Sequence, residues 1–414
     1  MSALKRNQQK NINRLLESFP VVLILGVRQC GKSTLSKELR PDWKYFDLEN
    51  SRDFDFIDSD IQFFLNENSS SIIIDEAQEL PKLFRNLRGL IDKKPQQCNR
   101  FLLTGSSSPE LIKLASDSLA GRIGIVELGT LKVNELNSKA LSPFYEIFSN
   151  EITQEKTIQF LKSKKTSSKK TDFIQNILKG GYPAPTIKND DLYFQDWMEN
   201  YFQTYINRDI KKLFPKLDSI KYRRFISMLS ELSGNIINKA QLGRSIDVNE
   251  VTVRDYLDIA DKTYFWRQIP SYEKTKVSSV TKMPKGILRD SGLLNFLMQN
   301  STREKLIRSP NYGQIFESFA IEETLKGMNS LAIGKWDYAY YRTKNGVEID
   351  LILDGPFGTL PIEIKSGTST NIQKLKSLKY FIESQKLPLG MVINNSDKIQ
   401  MISENIIQVP IHFI

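Results

Sequence analysis

Residues 26–33 form a glycine-bearing segment whose residue types suit phosphate binding. The segment matches G-x-x-x-x-G-K-[ST] at every fixed position. Glycine lets the backbone curl so that its N–H groups face phosphate oxygens, and a following helix N-terminus adds its positive dipole end. Lys32 would then reach the β- and γ-phosphates, while the Ser33 hydroxyl binds Mg²⁺. The pattern predicts a nucleoside triphosphate site. The predicted contacts in this segment are Gly26, Arg28, Gln29, Cys30, Gly31, Lys32, Ser33 and Thr34.

A second requirement of such a site is a carboxylate at the end of a neighbouring strand. The apolar run Ser71–Ile74 is followed directly by Asp75 and Glu76. Asp75 would hold the Mg²⁺ shell, and Glu76 would polarise the attacking water. The alternative interpretation is an ordinary strand that ends in a solvated acidic turn.

A third apolar run, Phe101–Thr104, also ends in small polar residues. Thr104 or Ser106 would be placed to sense the γ-phosphate. A plain serine and glycine turn is the competing interpretation.

Carboxylates and a lysine recur in the C-terminal part of the chain. Glu348 and Asp350 share one face of an alternating stretch, and Glu363 and Lys365 share one face of the next. If the two stretches form a hairpin, Asp350, Glu363 and Lys365 converge on one cleft. Two carboxylates can bind a divalent cation, and a lysine beside them can orient or activate a water for phosphodiester attack. Ordinary charge alternation on a surface strand is the alternative.

The elements that must position these residues can be outlined from hydrophobic patterning. Val21–Leu25 is an apolar β-branched run, the glycine-bearing loop follows, and Lys32–Leu39 has helical character. Buried parallel strands separated by helical segments predict an α/β sandwich for residues 1 to about 135. Residues 190–265 look mostly helical, and the last hundred residues return to short strands. A lysine-rich stretch without hydrophobic periodicity, residues 162–171, predicts a flexible basic linker.

Composition narrows the class of protein. The chain has 414 residues, of which 40% are hydrophobic and 26% charged, so we expect two to four globular domains. No stretch of about 18 apolar residues exists to span a bilayer, and the first ten residues are polar and basic. We therefore expect a soluble cytoplasmic protein with no membrane partner. Cys30 and Cys98 cannot build a disulfide framework, and the single histidine, His412, excludes histidine-rich zinc sites.

The positive charge is concentrated in the middle of the chain. Residues 136–310 contain 29 basic and 19 acidic side chains, whereas residues 1–135 contain 19 and 18, and residues 311–414 contain 10 and 11. A basic segment between two nearly neutral ones suggests that a polyanion, most simply nucleic acid, binds there. The alternative is a solvated lysine-rich surface with a basic linker.

The middle segment also has the element order of a winged helix-turn-helix. Patterning predicts helices over residues 220–232, 239–245 and 249–263, followed by a strand within residues 264–272. Acidic residues recur every three positions on the presumed reading helix, and carboxylates repel DNA. Non-specific backbone binding or protein docking therefore remains open. The predicted phosphate contacts are Lys239, Arg244, Arg254 and Lys274.

An ordered series of short motifs resembles one known family through almost the entire chain. The chain looks like AAA-type P-loop ATPases of bacteria and archaea that carry a C-terminal half of unknown function. The motifs are the glycine-bearing loop extended to Thr34, Asp75–Gln78, Leu102–Ser106, Leu119–Arg122, Gly180–Pro183, Tyr205–Asp209, Asp290–Leu293 and Ile362–Lys365. The resemblance implies a homo-oligomer, with a six-membered ring as the expected form. It also suggests Arg122 or Arg208 as the arginine that completes the ATPase site beside the γ-phosphate. Each of the two could instead be a structural salt-bridge residue.

The C-terminal pattern separately resembles the PD-(D/E)xK nuclease fold. In that resemblance Glu317, in a helix that precedes the two strands, is an additional acidic metal ligand beside Asp350 and Glu363. Many members of this fold are inactive binding modules, so cleavage and binding both remain open.

Together these inferences predict four regions. They are an ATPase core over residues 1–138, a helical lid over 139–215, a winged helix over 216–300 and a nuclease-like domain over 301–414. The expected function is a Mg²⁺-dependent ATPase that acts on DNA, with a nuclease-like domain that cleaves or clamps it. The alternative is a nucleotide-switched adaptor that docks protein partners and carries an inactive nuclease-like domain.

Overall fold

A computed structural model describes residues 4–106, 109–164, 173–273, 283–343 and 346–414. The chain divides into two compact units. The first comprises Met1–Lys139, Tyr182–Ile187 and Lys262–Phe265. The second comprises Ala140–Gly181, Lys188–Asp261 and Trp266–Ile414.

The first unit is built on a parallel sheet of five strands in the order β2-β3-β4-β1-β5. Its strands are β1 (Val21–Gly26), β2 (Lys44–Asp47), β3 (Ile72–Asp75), β4 (Phe101–Ser106) and β5 (Ile123–Leu128). Its helices are α1 (Gln9–Ser18), α2 (Lys32–Leu39), α3 (Ser51–Ser59), α4 (Ile61–Glu67), α5 (Lys82–Asp92), α6 (Pro109–Ser118) and α7 (Val133–Leu136).

Sequence accounts for this sheet directly. Every residue of β1 and β3 is buried, as expected for apolar strands with helices on both faces. The core includes Leu23, Ile74 and Leu103 from the strands and Phe84 and Leu87 from α5. Because all five strands are parallel, the residues that follow β1, β3 and β4 emerge at the same edge of the sheet.

The second unit begins with helices. They are α8 (Gln154–Ser163), α9 (Phe173–Lys179), α11 (Asp191–Thr204), α12 (Lys211–Leu213), α13 (Ser219–Glu231), α14 (Lys239–Ile246) and α15 (Glu250–Lys262). Helix α10 (Pro183–Lys188), between α9 and α11 in the chain, belongs to the first unit except for Lys188. Between α11 and α12 the helix widens to a π-helix over Tyr205–Ile210, a rare form that often occurs at functional sites.

A small antiparallel sheet follows these helices. Its strands are β6 (Asn235–Ile236), β7 (Trp266–Ile269) and β8 (Lys285–Leu288), in the order β6-β8-β7. Gly286 lies at the centre of this sheet, and a Cβ atom there would come within 2.1 Å of the Trp266 ring. Glycine is therefore required for the indole to cover the strand.

The C-terminal part packs helices against a mixed sheet of six strands in the order β13-β14-β12-β11-β10-β9. The helices are α16 (Ser291–Leu297), α17 (Arg303–Arg308), α18 (Tyr312–Asn329) and α19 (Lys376–Gln385). The strands are β9 (Asp337–Arg342), β10 (Glu348–Gly355), β11 (Gly358–Lys365), β12 (Gly390–Asn394), β13 (Gln400–Ser403) and β14 (Ile406–Pro410). Strands β10 and β11 form an antiparallel hairpin in which Leu351 pairs with Ile362.

The helices and strands of the structure are of the types that the sequence patterns predict, but some of their boundaries differ. The α/β class and the helices and strands expected at the phosphate segment are confirmed. The expected linker over residues 162–171 is shorter at its start, because α8 continues through Ser163. The Lys164 ammonium lies 3.6 Å from the Glu146 carboxylate, and residues 165–172 lie outside the described part. Within the described ranges, no helix combines the length and apolarity needed to cross a membrane.

Candidate nucleotide site and C-terminal carboxylate cluster

The phosphate segment leaves β1 and enters α2 through a tight backbone curl. Gln29 and Gly31 both have positive φ angles, of 61° and 97°. Gly26 is held between strands, since a Cβ atom there would lie 2.2 Å from the Leu128 carbonyl oxygen. The Lys32 side chain is 4% exposed, and its ammonium donates to the carbonyls of Gly26 and Val27 at 3.2 Å. The lysine therefore lies against the curl in which phosphates are expected.

Other predicted contacts of the segment are distributed around the curl. Gln29 and Thr34 are exposed, and Arg28 is half-buried with its guanidinium 3.4 Å from the Glu49 carboxylate. The Cys30 thiol is buried and donates to the Leu128 carbonyl at 3.3 Å, so it points toward β5.

Arg6 supports the curl from behind, a contact that patterning did not predict. Its guanidinium donates to the Cys30 carbonyl at 2.8 Å and to the Gly129 carbonyl at 2.7 Å. Its Nε lies 3.1 Å from a carboxylate oxygen of Glu135, and both side chains are buried. Arg6 is separated from Glu135 by 129 positions, so no local pattern reveals the pairing.

Asp75 ends β3 at the same edge of the sheet and accepts three hydroxyl groups. Tyr45 donates to it at 2.6 Å, and Thr104 and Ser33 also donate to its carboxylate. Burial raises the pKa of Asp75 above its ordinary value, and the hydrogen bonds from Ser33 and Tyr45 oppose that rise. Thr104 thus contacts the predicted magnesium ligand, and Tyr45 is a contact that the sequence patterns did not identify.

Glu76 follows in a left-handed conformation, with φ 52°, which is uncommon for a residue other than glycine. Its carboxylate accepts from the Gln78 amide at 2.5 Å and from the backbone and hydroxyl of Ser106 at 3.2 and 3.1 Å. Burial favours a higher pKa for Glu76, but the Lys32 charge and these hydrogen bonds outweigh it and leave the pKa below its usual value. Glu76 is therefore ionised at neutral pH, as a base must be.

The donor set at this edge fits Mg²⁺. Ser33 and Asp75 offer a hydroxyl and a carboxylate, which are hard oxygen ligands, and the Ser33 hydroxyl already points at the Asp75 carboxylate.

The two candidate arginines lie in different units. Arg122 precedes β5, whose Ile123 pairs with Val21 at the start of β1, so it lies at the opposite edge of the sheet from the phosphate segment. Its guanidinium is 2.6 Å from the Asp92 carboxylate. Arg208 is an exposed residue of the π-helix in the second unit.

The C-terminal carboxylates converge as expected, around a lysine that was not expected. The Lys285 ammonium contacts the Glu317 carboxylate and lies 3.6 Å from Glu348 and 3.7 Å from Asp350. The second Asp350 oxygen accepts the Ile364 N–H at 2.8 Å. Lys365 donates to Glu363 at 2.5 Å, so the predicted lysine pairs within its own strand.

This arrangement does not fit the metal site that the sequence predicted from Glu317, Asp350 and Glu363. The ammonium of Lys285 lies among the carboxylates where a cation was expected. Among the described residues, no group of three or more histidine, cysteine, aspartate or glutamate side chains is arranged to hold a metal ion. The sequence pattern identified the carboxylates but did not identify Lys285 as the positive charge among them.

The predicted nucleic-acid contacts are partly accessible. Arg244 and Arg254 are exposed, and Lys239 at the start of α14 is half-buried. Arg254 lies 3.8 Å from the Asp255 carboxylate on the same helix. Lys274 lies outside the described residues.

A parallel five-stranded sheet, a glycine-bearing loop after β1 and an acidic pair after β3 together define a P-loop ATPase. A family model described as an AAA domain matches residues 18–137. Models described as domains of unknown function, DUF8612 and DUF4143, match residues 170–304 and 312–414.

Relatives extend this similarity to the whole chain. Uncharacterized proteins of Mycobacterium bovis and Mycobacterium tuberculosis are each 30% identical over 98% of this chain and 83% of their own length. The chain belongs to the family of these proteins, and its own sequence joins an AAA domain to two domains of unknown function. It is accordingly an ATP hydrolase of the P-loop type.

Solved structures show more distant similarity. A Walker-type ATPase of Pyrococcus abyssi is 14% identical over 70% of this chain and 94% of that chain, with a TM-score of 0.40. The Holliday junction branch migration motor RuvB of Thermotoga maritima is 18% identical over 64% of this chain and 90% of that chain, with a TM-score of 0.28.

Proposed function

We propose that this ATPase is Mg²⁺-dependent and acts on DNA, with its C-terminal domain serving to clamp DNA rather than to cut it. The nucleotide part of the proposal is carried by one observation. Lys32 follows the buried strand β1, and Asp75 and Glu76 lie at the end of the buried strand β3, so all three residues lie at one edge of the parallel sheet. Only such convergence lets a lysine, a metal-binding carboxylate and a base act on the same phosphate group.

Each residue of the site has a distinct role in this proposal. Lys32 exchanges its two carbonyl partners for phosphate oxygens when nucleotide binds. Ser33 and Asp75 would hold Mg²⁺, which neutralises phosphate charge when bound. Glu76 accepts a hydrogen bond from the attacking water, and Gln78 and Ser106 hold its carboxylate in place.

The DNA part of the proposal rests on the basic middle of the chain. The order α13, β6, α14, α15, β7 and β8 is the order of a winged helix-turn-helix. Arg244 and Arg254 are exposed on α14 and α15, where they could contact phosphates. Glu250 and Asp255 are also exposed on α15, which argues against close reading of base edges in the major groove. Non-specific backbone binding is the mode that both observations support.

The same acidic residues favour a second candidate function. A nucleotide-switched adaptor would use the exposed face of α15, with Val251 55% exposed beside Glu250 and Asp255, to dock a protein.

Steady-state ATP turnover with single-stranded, duplex and branched DNA separates the two functions. A DNA-acting ATPase should be stimulated by at least one of these DNAs. Turnover that is slow and indifferent to all three would favour the adaptor.

A further inference from the structure

Lys285 is a buried charge in an otherwise apolar strand. It opens β8, the central strand of the small sheet, and its backbone pairs with Ile236 and Ile269. Its side chain is 2% exposed, and the residues that follow it are Gly286, Ile287 and Leu288. A buried ammonium is strongly unfavourable unless negative groups surround it.

Three carboxyl groups from two other elements surround the ammonium. Glu317 projects from α18, and Glu348 and Asp350 project from one face of β10. The Lys285 ammonium contacts Glu317 and lies within 3.7 Å of the other two carboxylates. The carboxyl groups from α18 and β10 thus converge on one point that suits a cation. The Lys285 ammonium occupies that point.

We infer that the Lys285 ammonium is the resident cation of this cluster and replaces the divalent metal ion that the carboxylate pattern predicts. The inference is independent of any action on DNA.

The remaining carboxylate oxygens leave little for a metal ion to bind. One Asp350 oxygen accepts the Ile364 N–H, and one Glu363 oxygen accepts the Lys365 ammonium. The other Glu363 oxygen has no hydrogen-bond partner within the described ranges, but one oxygen does not replace the several ligands that Mg²⁺ requires. A metal ion near Asp350 would also lie close to an ammonium group, and the two positive charges repel. Metal binding therefore requires the removal of Lys285.

The lysine also joins the small sheet to the C-terminal helix α18. Three further contacts join α18 to residues in or next to this sheet. Arg267 and Arg289 pair with the buried Glu322, and the Ser233 hydroxyl is 3.1 Å from that of Ser318. The cluster thus acts as a metal-free ionic anchor within the second unit.

Manganese binding to the full chain without nucleotide tests the inference. Mn²⁺ is the probe, counted by titration with electron paramagnetic resonance of the free ion. In the wild-type chain we expect no Mn²⁺ at this cluster. Asp350→Asn should therefore bind the same number of Mn²⁺ ions as the wild type. In Lys285→Met we expect the gain of one Mn²⁺ per chain, and Lys285→Met/Asp350→Asn should lose it again.

Lys326→Met is the matched control, because Lys326 is a largely buried lysine of α18 that pairs with Glu323 at 3.3 Å. It should gain no Mn²⁺. Wild-type binding that disappears in Asp350→Asn would overturn the inference, and so would a folded Lys285→Met chain that binds none. If Lys285→Met does not fold, the comparison of wild type with Asp350→Asn still decides whether the native site holds a metal ion.

Discussion

At the scale of single residues, Lys32 and Glu76 occupy neighbouring parts of one site but perform different steps. Lys32→Ala removes the phosphate-binding ammonium, so we expect tight nucleotide binding to be lost. Glu76→Gln keeps the size and hydrogen-bonding capacity of the side chain but removes the base, so binding should persist while turnover falls about 10²- to 10⁴-fold. Equilibrium binding of a fluorescent ATP analogue and steady-state hydrolysis measure the two effects. Ordinary turnover in Glu76→Gln would assign the base to another residue.

Arg6 is a positioning residue of the same site. Carbonyls of a phosphate-binding curl point away from the phosphate, and Arg6 satisfies one of them, that of Cys30. Arg6→Lys retains a charge beside Glu135 but cannot reproduce the forked contacts to two carbonyls. Hydrogen bonds that involve a charged group contribute about 1.5–3 kcal/mol, so the KM for ATP should rise roughly 10- to 100-fold.

The turnover number at saturating ATP should change little in Arg6→Lys, because Arg6 does not contact the reacting atoms. Arg14→Lys is the control, since Arg14 is exposed on α1 and donates to Asn11 at 2.9 Å. An unchanged KM, or a lowered turnover number with an unchanged KM, would contradict this role.

At the scale of elements, sequence patterns identified what is local. Apolar runs that are followed by the phosphate-binding segment, the acidic pair or small polar residues predicted β1, β3 and β4. A buried parallel strand is recognisable from its own residues. Partners far along the chain were not recognisable in this way. Tyr45, which donates to Asp75 from 30 positions away, carried no distinctive spacing. Lys285 did leave a signal, since a charge at the start of the apolar run Gly286–Leu288 indicates a buried ion pair, but its partners are set by tertiary packing.

The contact between the small sheet and α18 depends on Glu322. Burial favours a higher pKa for this carboxyl, but Arg267 and Arg289 outweigh it and lower the pKa to about 2. Glu322→Gln leaves two buried guanidinium groups without their carboxylate, so we expect the free energy of unfolding to fall by about 3 kcal/mol. Denaturant titration measures it. Glu383→Gln removes an exposed carboxylate of α19 and should change stability by less than about 0.5 kcal/mol.

The pH dependence of this contribution has a definite sign. The folded-state pKa of Glu322 lies below its unfolded value, so the stabilisation is complete above about pH 4.5 and is lost as the pH falls toward 2. Wild type and Glu322→Gln should therefore converge in stability at low pH. A difference that stays constant down to pH 2 would show that Glu322 stabilises the fold by packing alone.

Helices α14 and α15 carry the proposed DNA contacts. Arg244→Gln and Arg254→Gln together should weaken DNA binding and reduce the slope of log affinity against log salt by about 2, roughly one per lost phosphate contact. Asp255→Asn, on the same exposed face of α15, should leave the slope unchanged and strengthen binding slightly. Fluorescence anisotropy of labelled duplex DNA between 50 and 200 mM salt, typical conditions for such slopes, measures both. Equal binding in all variants would instead favour protein docking by α15.

At the scale of the whole molecule, Arg122 connects the ATPase site to assembly. The parallel strands place Arg122 at the edge of the sheet opposite its own phosphate segment, so it can complete a site only in a second copy of the chain. This geometry is compatible with the ring that the family resemblance implies, in which each chain would supply an arginine to its neighbour. Within one chain, Arg122 pairs with Asp92, and that pair alone would give it a purely structural role.

Mixing two inactive variants distinguishes these roles. Arg122→Ala should lack turnover while keeping its own nucleotide site, and Lys32→Ala should lack the site while keeping its arginine. When the two are co-expressed, a Lys32→Ala chain can supply its arginine to the intact site of an Arg122→Ala neighbour, so turnover should recover in part. Asp92→Asn breaks the local ion pair but keeps the arginine, so it should retain activity near that of wild type. Because a structural arginine acts only within its own chain, failure of the mixture to recover, together with an equal loss of activity in Asp92→Asn, would assign Arg122 to the ion pair rather than to a neighbour's site.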